Sequence, residues 1–127
     1  MKKLLILLFS LLISFNSYGE WTRYGENSGN DTMYIDYSKI KENNGFVYFW
    51  EMTDNLMPSS TGRMSVKQYI QSNCKTTQSK NLTFIFYNQS MGEGNGDPYT
   101  PTETEWYYPN PDSILYGIIE SVCDYVD

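Results

Sequence analysis

The chain of 127 residues carries 15 acidic against 9 basic side chains, no histidine and a formal net charge of −6. Nucleic-acid binding leaves a footprint of clustered Lys and Arg; here Arg23, Lys39, Lys41, Arg63, Lys67, Lys75 and Lys80 are scattered among carboxylates, which argues against nucleic acid or another polyanion as partner. With two cysteines and no histidine, neither the usual zinc ligand sets nor a thiol nucleophile with an imidazole base is available, so no metal or cofactor is expected.

The chain opens as an export signal. Lys2-Lys3 precede an apolar run from Leu4 to Phe15, too short to span a bilayer comfortably, and the small residues Ser17 and Gly19 set a cut before Glu20. Residues 1–19 are therefore expected to be a cleaved signal peptide of bacterial type, and residues 20–127 one small mature domain. No cysteine stands at the cut and no second long apolar run follows, so neither a lipid anchor nor a membrane-spanning segment is expected. The product is expected in the periplasm, secreted or at the cell surface. A domain of this size buries only a marginal core, and an even pair of cysteines in an exported chain reads as one disulfide, Cys74–Cys123.

After Glu20, short strands are expected at Trp21–Tyr24 and Met33–Asp36, and Asp36 is expected to cap a local turn with its carboxylate. Asn44-Gly45 tolerates positive φ and suits a tight hairpin just before the strongest strand signal. That strand runs from Phe46 to Thr53, with Phe46, Tyr48, Trp50 and Met52 on one face and Val47, Phe49, Glu51 and Thr53 on the other. Met64–Ser72 and Leu82–Tyr87 alternate likewise, and Trp106–Tyr108 is a further short candidate. Trp21, Trp50, Phe84 and Phe86 read as core. The stretches Gly25–Asn30, Asp54–Gly62 and Gly92–Pro101 are rich in turn formers.

The C-terminal segment changes period. After Pro109-Asn110-Pro111, Asp112 or Ser113 caps a helix, and Ile114, Leu115, Ile118, Ile119, Val122 and Cys123 make an apolar stripe along it. Cys123 lies on that stripe, and Cys74 shares the parity of Val66 and Ile70. The expected fold is α+β: a single antiparallel β-sheet of about five or six strands with a C-terminal α-helix packed on one face and joined to it by the disulfide.

Trp21, Tyr34-Ile35-Asp36, Ile40, Val47, Trp50, Ser65, Cys74, Tyr87, Met91-Gly92-Glu93-Gly94, Trp106, Pro111-Asp112-Ser113-Ile114 and Val122-Cys123 fall in the order and spacing of a known pattern. On these residues the mature chain resembles the surface-adhesin protein E family from Trp21 to Cys123. The resemblance implies a small exported domain with a sheet, a C-terminal helix and a disulfide between them. It also implies an adhesin-like role in binding host extracellular-matrix or plasma proteins.

The remaining motifs carry little chemistry. Gly92–Asp97 lacks the alternating oxygen ligands of a calcium loop and reads as a glycine-rich connection. Asp36, Glu51, Asp54, Glu103 and Glu105 have no spacing that forces an acid/base pair together, so no catalysis is expected. Tyr99, Trp106, Tyr107 and Tyr108 flank a Pro/Thr/Glu-rich loop and are the candidate partner-binding residues, as aromatic anchors within a polar rim. The competing reading has Trp106 packing under the helix start and the tyrosines covering a sheet edge. The expected function is an exported, non-catalytic, adhesin-like protein whose partner is another protein. The alternative is a secreted or periplasmic inhibitor or immunity-type protein acting against a basic hydrolase.

Overall fold

The computed structural model describes residues 20–127; the expected leader, residues 1–19, lies outside the described residues. Seven strands follow in chain order: β1 Trp21–Glu26, β2 Thr32–Asp36, β3 Lys41–Asn43, β4 Phe46–Asp54, β5 Ser65–Asn73, β6 Ser79–Tyr87 and β7 Asp97–Tyr99. One helix, α1, spans Ile114–Val126. The strands form one antiparallel sheet in the order β1-β2-β4-β5-β6-β7, and β3 shares with β2 the same edge of β4. The expected α+β architecture is present, with the strand count at its upper end and one strand beyond.

Local chemistry accounts for the connections. Asn44 and Gly45 adopt φ of 53° and 83° and close the β3–β4 hairpin, as their tolerance of positive φ requires. β3 itself is Lys-Glu-Asn, with no alternation to announce it; it pairs because the hairpin turn delivers it to the start of β4. The carboxylate of Asp36 accepts from Ser38 N–H at 3.1 Å and caps the 3-10 turn at Tyr37–Lys39, as its position after β2 suggests. Ser113 caps α1, accepting from Tyr116 N–H at 3.2 Å, which satisfies one of the free donors of the first turn.

The glycine-rich connection after β6 is tied down at its start. Met91 N–H donates to Asp54 Oδ1 at 2.8 Å and Gly92 N–H to Ser65 Oγ at 2.9 Å. Gly92 has φ +65°, where a side chain is strained, and a Cβ there would lie 2.7 Å from Lys67 Cε, so any larger residue would also have to displace the lysine.

The core sits between α1 and one face of the sheet. Ile118, Ile119 and Val122 pack against Met33, Ile35, Val47, Phe49 and Ile70. Each such burial contributes roughly 1.5–3 kcal/mol. Cys74, just past β5, bonds to Cys123 across 49 residues of sequence and clips the helix to this face.

Three expectations are corrected by the structure. Trp106–Tyr108 is not a strand: only Tyr107 pairs, through two 2.9 Å bonds with Ser79. Instead β7 forms inside the expected loop, at the sheet edge where Pro98 leaves no interior ladder bond unmade. Trp21 and Trp50 do not join the helix core; the register places them on the opposite face, partly exposed. Phe84 and Phe86 are on the helix side but beyond the helix, and they too are only partly buried.

Candidate functional site

The helix covers one half of its face, over β1, β2 and β4. Register carries that face on through Glu51, Gln68 and Phe84, and through Thr53, Val66 and Phe86. A polar seam separates the helix from the far edge. Tyr107 donates its hydroxyl to Asn81 Oδ1 at 2.5 Å, and the Asn81 amide in turn donates to Gln68. Glu51 is fully buried beside this seam. Thr53 donates to its Oε1 at 2.5 Å, while Oε2 has no partner among the described residues. Burial pushes the Glu51 carboxyl up to about 7, the Thr53 hydroxyl opposing, because the charged form loses its water. Burial, and then the nearby Glu51 charge, push the Tyr107 phenol up to about 12.

Beyond the seam lies an open groove of about 550 Å³. Val66 and Phe86 form its floor, Pro98 and Tyr99 one wall, and Asn55 with Ser59–Thr61 the other. Arg63 reaches across it to Asp97 at 2.6 Å, donates to Asn88 Oδ1 at 3.1 Å, and sits 5.8 Å above the Phe86 ring. The wall loop is held by its own bonds: Asn55 N–H to Met64 O at 2.8 Å and Ser59 N–H to Arg63 O at 2.9 Å. Leu56 N–H donates to Asp31 Oδ1 at 2.9 Å. Leu56 and Met57 stand out from that loop, 62% and 70% exposed. Tyr99 is 57% exposed and rests against Phe84, their centroids 6.2 Å apart.

The four candidate aromatic residues do not converge on one rim. Tyr99 lines the groove, and Tyr108 is largely exposed. Tyr107 turns inward to Asn81 and Ser79 and is a packing residue. Trp106 does not pack under the helix start either; it stacks on Phe46 at 5.7 Å with Lys80 above its ring at 4.5 Å. Leu56 and Met57 were not legible as site residues, since a Leu-Met pair in a turn-rich stretch carries no pattern by itself.

These placements separate the two tyrosines in their effect on stability. Tyr107→Ala is expected to lower stability by about 2–4 kcal/mol, through lost burial and the unpaired Asn81 carbonyl. Tyr99→Ala is expected to stay within about 1 kcal/mol of the parent. Thermal or urea melts check both; equal losses would show Tyr99 to be as much a packing residue as Tyr107.

A family model described as surface-adhesin protein E matches residues 21–124. No curated protein matches the chain. Among solved structures, crystal form II of Haemophilus influenzae protein E is 23% identical with a TM-score of 0.62, over 84% of this chain and 93% of that one. Protein E from non-typeable Haemophilus influenzae is 22% identical with a TM-score of 0.61, over 82% of this chain and 75% of that one. At this identity the structural likeness establishes the shared fold.

Proposed function

The chain belongs to the surface-adhesin protein E family, and from that premise we propose that it is an exported, non-catalytic adhesin that binds host extracellular-matrix or plasma proteins. Residues 1–19 are removed on export in this reading. No helix among the described residues is long and apolar enough to cross a membrane. The observation that carries the reading is the groove beside Tyr99. It joins an apolar floor and a rigid aromatic wall within a polar rim, and Leu56 and Met57 stand exposed on the loop that forms its other wall, which is how protein interfaces concentrate affinity. Tyr99 is the anchor; Tyr108 is exposed nearby in sequence but is no part of the groove lining.

The test is binding of the processed protein to immobilised host matrix and plasma proteins, read by surface plasmon resonance. Tyr99→Ala combined with Met57→Ser is expected to weaken binding by roughly tenfold or more, with the melt nearly unchanged. Because the chain is acidic overall, a basic partner surface is expected, and salt should weaken the association. Undiminished binding by the double variant would remove the groove from the interface. Capture of a basic hydrolase from the bacterium's own periplasm, with no host protein bound, would replace the adhesin reading by the inhibitor one.

A further inference from the structure

Among the described residues, the sheet face turned away from α1 is covered at its margins by Trp106, stacked on Phe46, by the Met91–Gly92 turn over Met52 and Lys67, and by Gly96 against Ile85 and Tyr87. Register arranges this face in rows that run across the strands. The central row is aromatic: Trp21, then Asp36, Trp50 and Tyr69. The Trp50 and Tyr69 ring centroids are 4.9 Å apart, and Tyr48 joins them 6.3 Å from Tyr69. One flanking row is Lys41, Tyr48, Gln71 and Lys80. The other is Arg23, Tyr34, Met52 and Lys67. Tyr48 and Met52 are four residues apart on β4, so the two cationic rows stand about 13 Å apart with the aromatic row between them.

The sequence scatters its basic residues, and the sheet gathers them. Arg63 and Lys75 are the only basic residues of the described chain that lie off this face. Lys41, Lys67 and Lys80 have no carboxylate within ion-pair distance among the described residues, whereas Arg23 is held by Glu26 at 3.2 Å. Two of these ammonium groups are held over rings. Lys67 Nζ is 5.6 Å from the Trp21 centroid and 5.1 Å from that of Tyr87, and Lys80 Nζ sits over Trp106. The carboxylate of Asp36 is turned into its own 3-10 turn and lies 3.9 Å from Lys39 Nζ. Glu93, across the hollow that Trp21 and Lys67 line, bounds the strip at that end.

We propose that this face is a docking surface for an anionic polysaccharide, a chain of pyranose rings bearing sulfate or carboxylate groups, laid along the Trp21–Tyr69 row. Charge on both sides of an apolar strip matches a polymer whose anionic groups project from both edges of a ribbon of rings. Single-stranded nucleic acid keeps its phosphates on one edge and needs open aromatic faces for its bases. Here the faces of Trp21 and Trp106 already carry ammonium groups. The hydroxyls of Tyr34 and Tyr48 and the Gln71 amide supply hydrogen-bonding groups suited to sugar hydroxyls. Gln71 already donates to Tyr48 at 3.1 Å, which fixes that pair.

The experiment titrates the processed protein with a size-defined heparin oligosaccharide and follows tryptophan fluorescence at low and physiological salt. Saturable binding is expected, weakened by salt and weakened about tenfold or more by Lys67→Gln with Lys80→Gln. Lys75→Gln, off this face, is expected to change it less than about twofold. Since Lys67 also touches the Met91–Gly92 turn, melts accompany the titrations. Lys41→Glu, at an exposed position on β3, provides a second variant expected to weaken binding with an unchanged melt. The proposal is overturned if heparin does not bind saturably at low salt, or if Lys75→Gln matters as much as the face variants. It is equally overturned if oligothymidylate or poly-glutamate binds as tightly as heparin. So too if sedimentation shows this face closed by a second copy of the chain that heparin does not displace.

Discussion

Reduction of the Cys74–Cys123 bridge is expected to destabilise the domain by about 4 kcal/mol. The bond closes 49 residues of sequence, and in the chain-entropy account a loop of that length adds roughly this much disorder to the unfolded state once opened. The loss is large against a total of about 5–15 kcal/mol for a small domain. At roughly 4–8 °C per kcal/mol, the melt should fall by on the order of 15 °C or more. The location makes the effect specific. The bridge is the covalent tie between α1 and the sheet, so without it α1 is held by non-covalent contacts, chiefly the buried Ile118, Ile119 and Val122 with the partly buried Ile114, Leu115 and Val126 and the Tyr37–Ser121 hydrogen bond. Cys123→Ser should reproduce the reduced state, and helix amides should then lose hydrogen-exchange protection before those of β4 and β5. Two alkylatable thiols in the native exported protein, or a melt indifferent to reductant, would contradict this account.

Glu51→Gln is expected to abolish a pH dependence worth up to about 3 kcal/mol. The carboxyl is fully buried and pushed up to about 7 in the folded protein, against 4.5 for a free side chain. Below pH 4.5 it is protonated in both states and favours neither. Between there and about 7 the unfolded chain releases the proton while the folded chain keeps it, so stability falls as pH rises. Above that range the cost is constant. A shift of this size corresponds to about 3 kcal/mol. Urea melts at pH 4.5, 6 and 7.5 should therefore show the variant gaining on the parent with each step, the Thr53 hydroxyl bond being retained. Parallel stability curves for the two proteins would show that Glu51 is solvated or paired in the native state.

Much of the architecture was legible in the sequence because it rests on local pattern. The alternation from Phe46 to Thr53 and from Met64 to Ser72 gives β4 and β5 within a residue or two, and Ser113 with the Ile114–Val122 stripe gives α1. Cys74 shares parity with Ile70, and that parity placed the disulfide on the helix side of the sheet. Asn44-Gly45 and Asp36 act on their immediate neighbours, and their turn and cap follow from their own side chains and φ preferences.

Which face of β4 the helix would cover was decided only in three dimensions. Phe46, Tyr48, Trp50 and Met52 look the more apolar set, yet α1 packs on Val47 and Phe49, because Ile35, Ile70 and the Cys74 tether all stand on that side. Glu51 is buried as a consequence, and an aromatic face is left open. The inward turn of Tyr107, the pairing of β7 and the groove wall at Asn55 and Ser59–Thr61 depend likewise on partners far away in sequence. Alternation along one strand fixes which residues share a face. Only the pairing of strands and the choice of what packs on them fix which face is covered, since that choice weighs the burial of every strand at once.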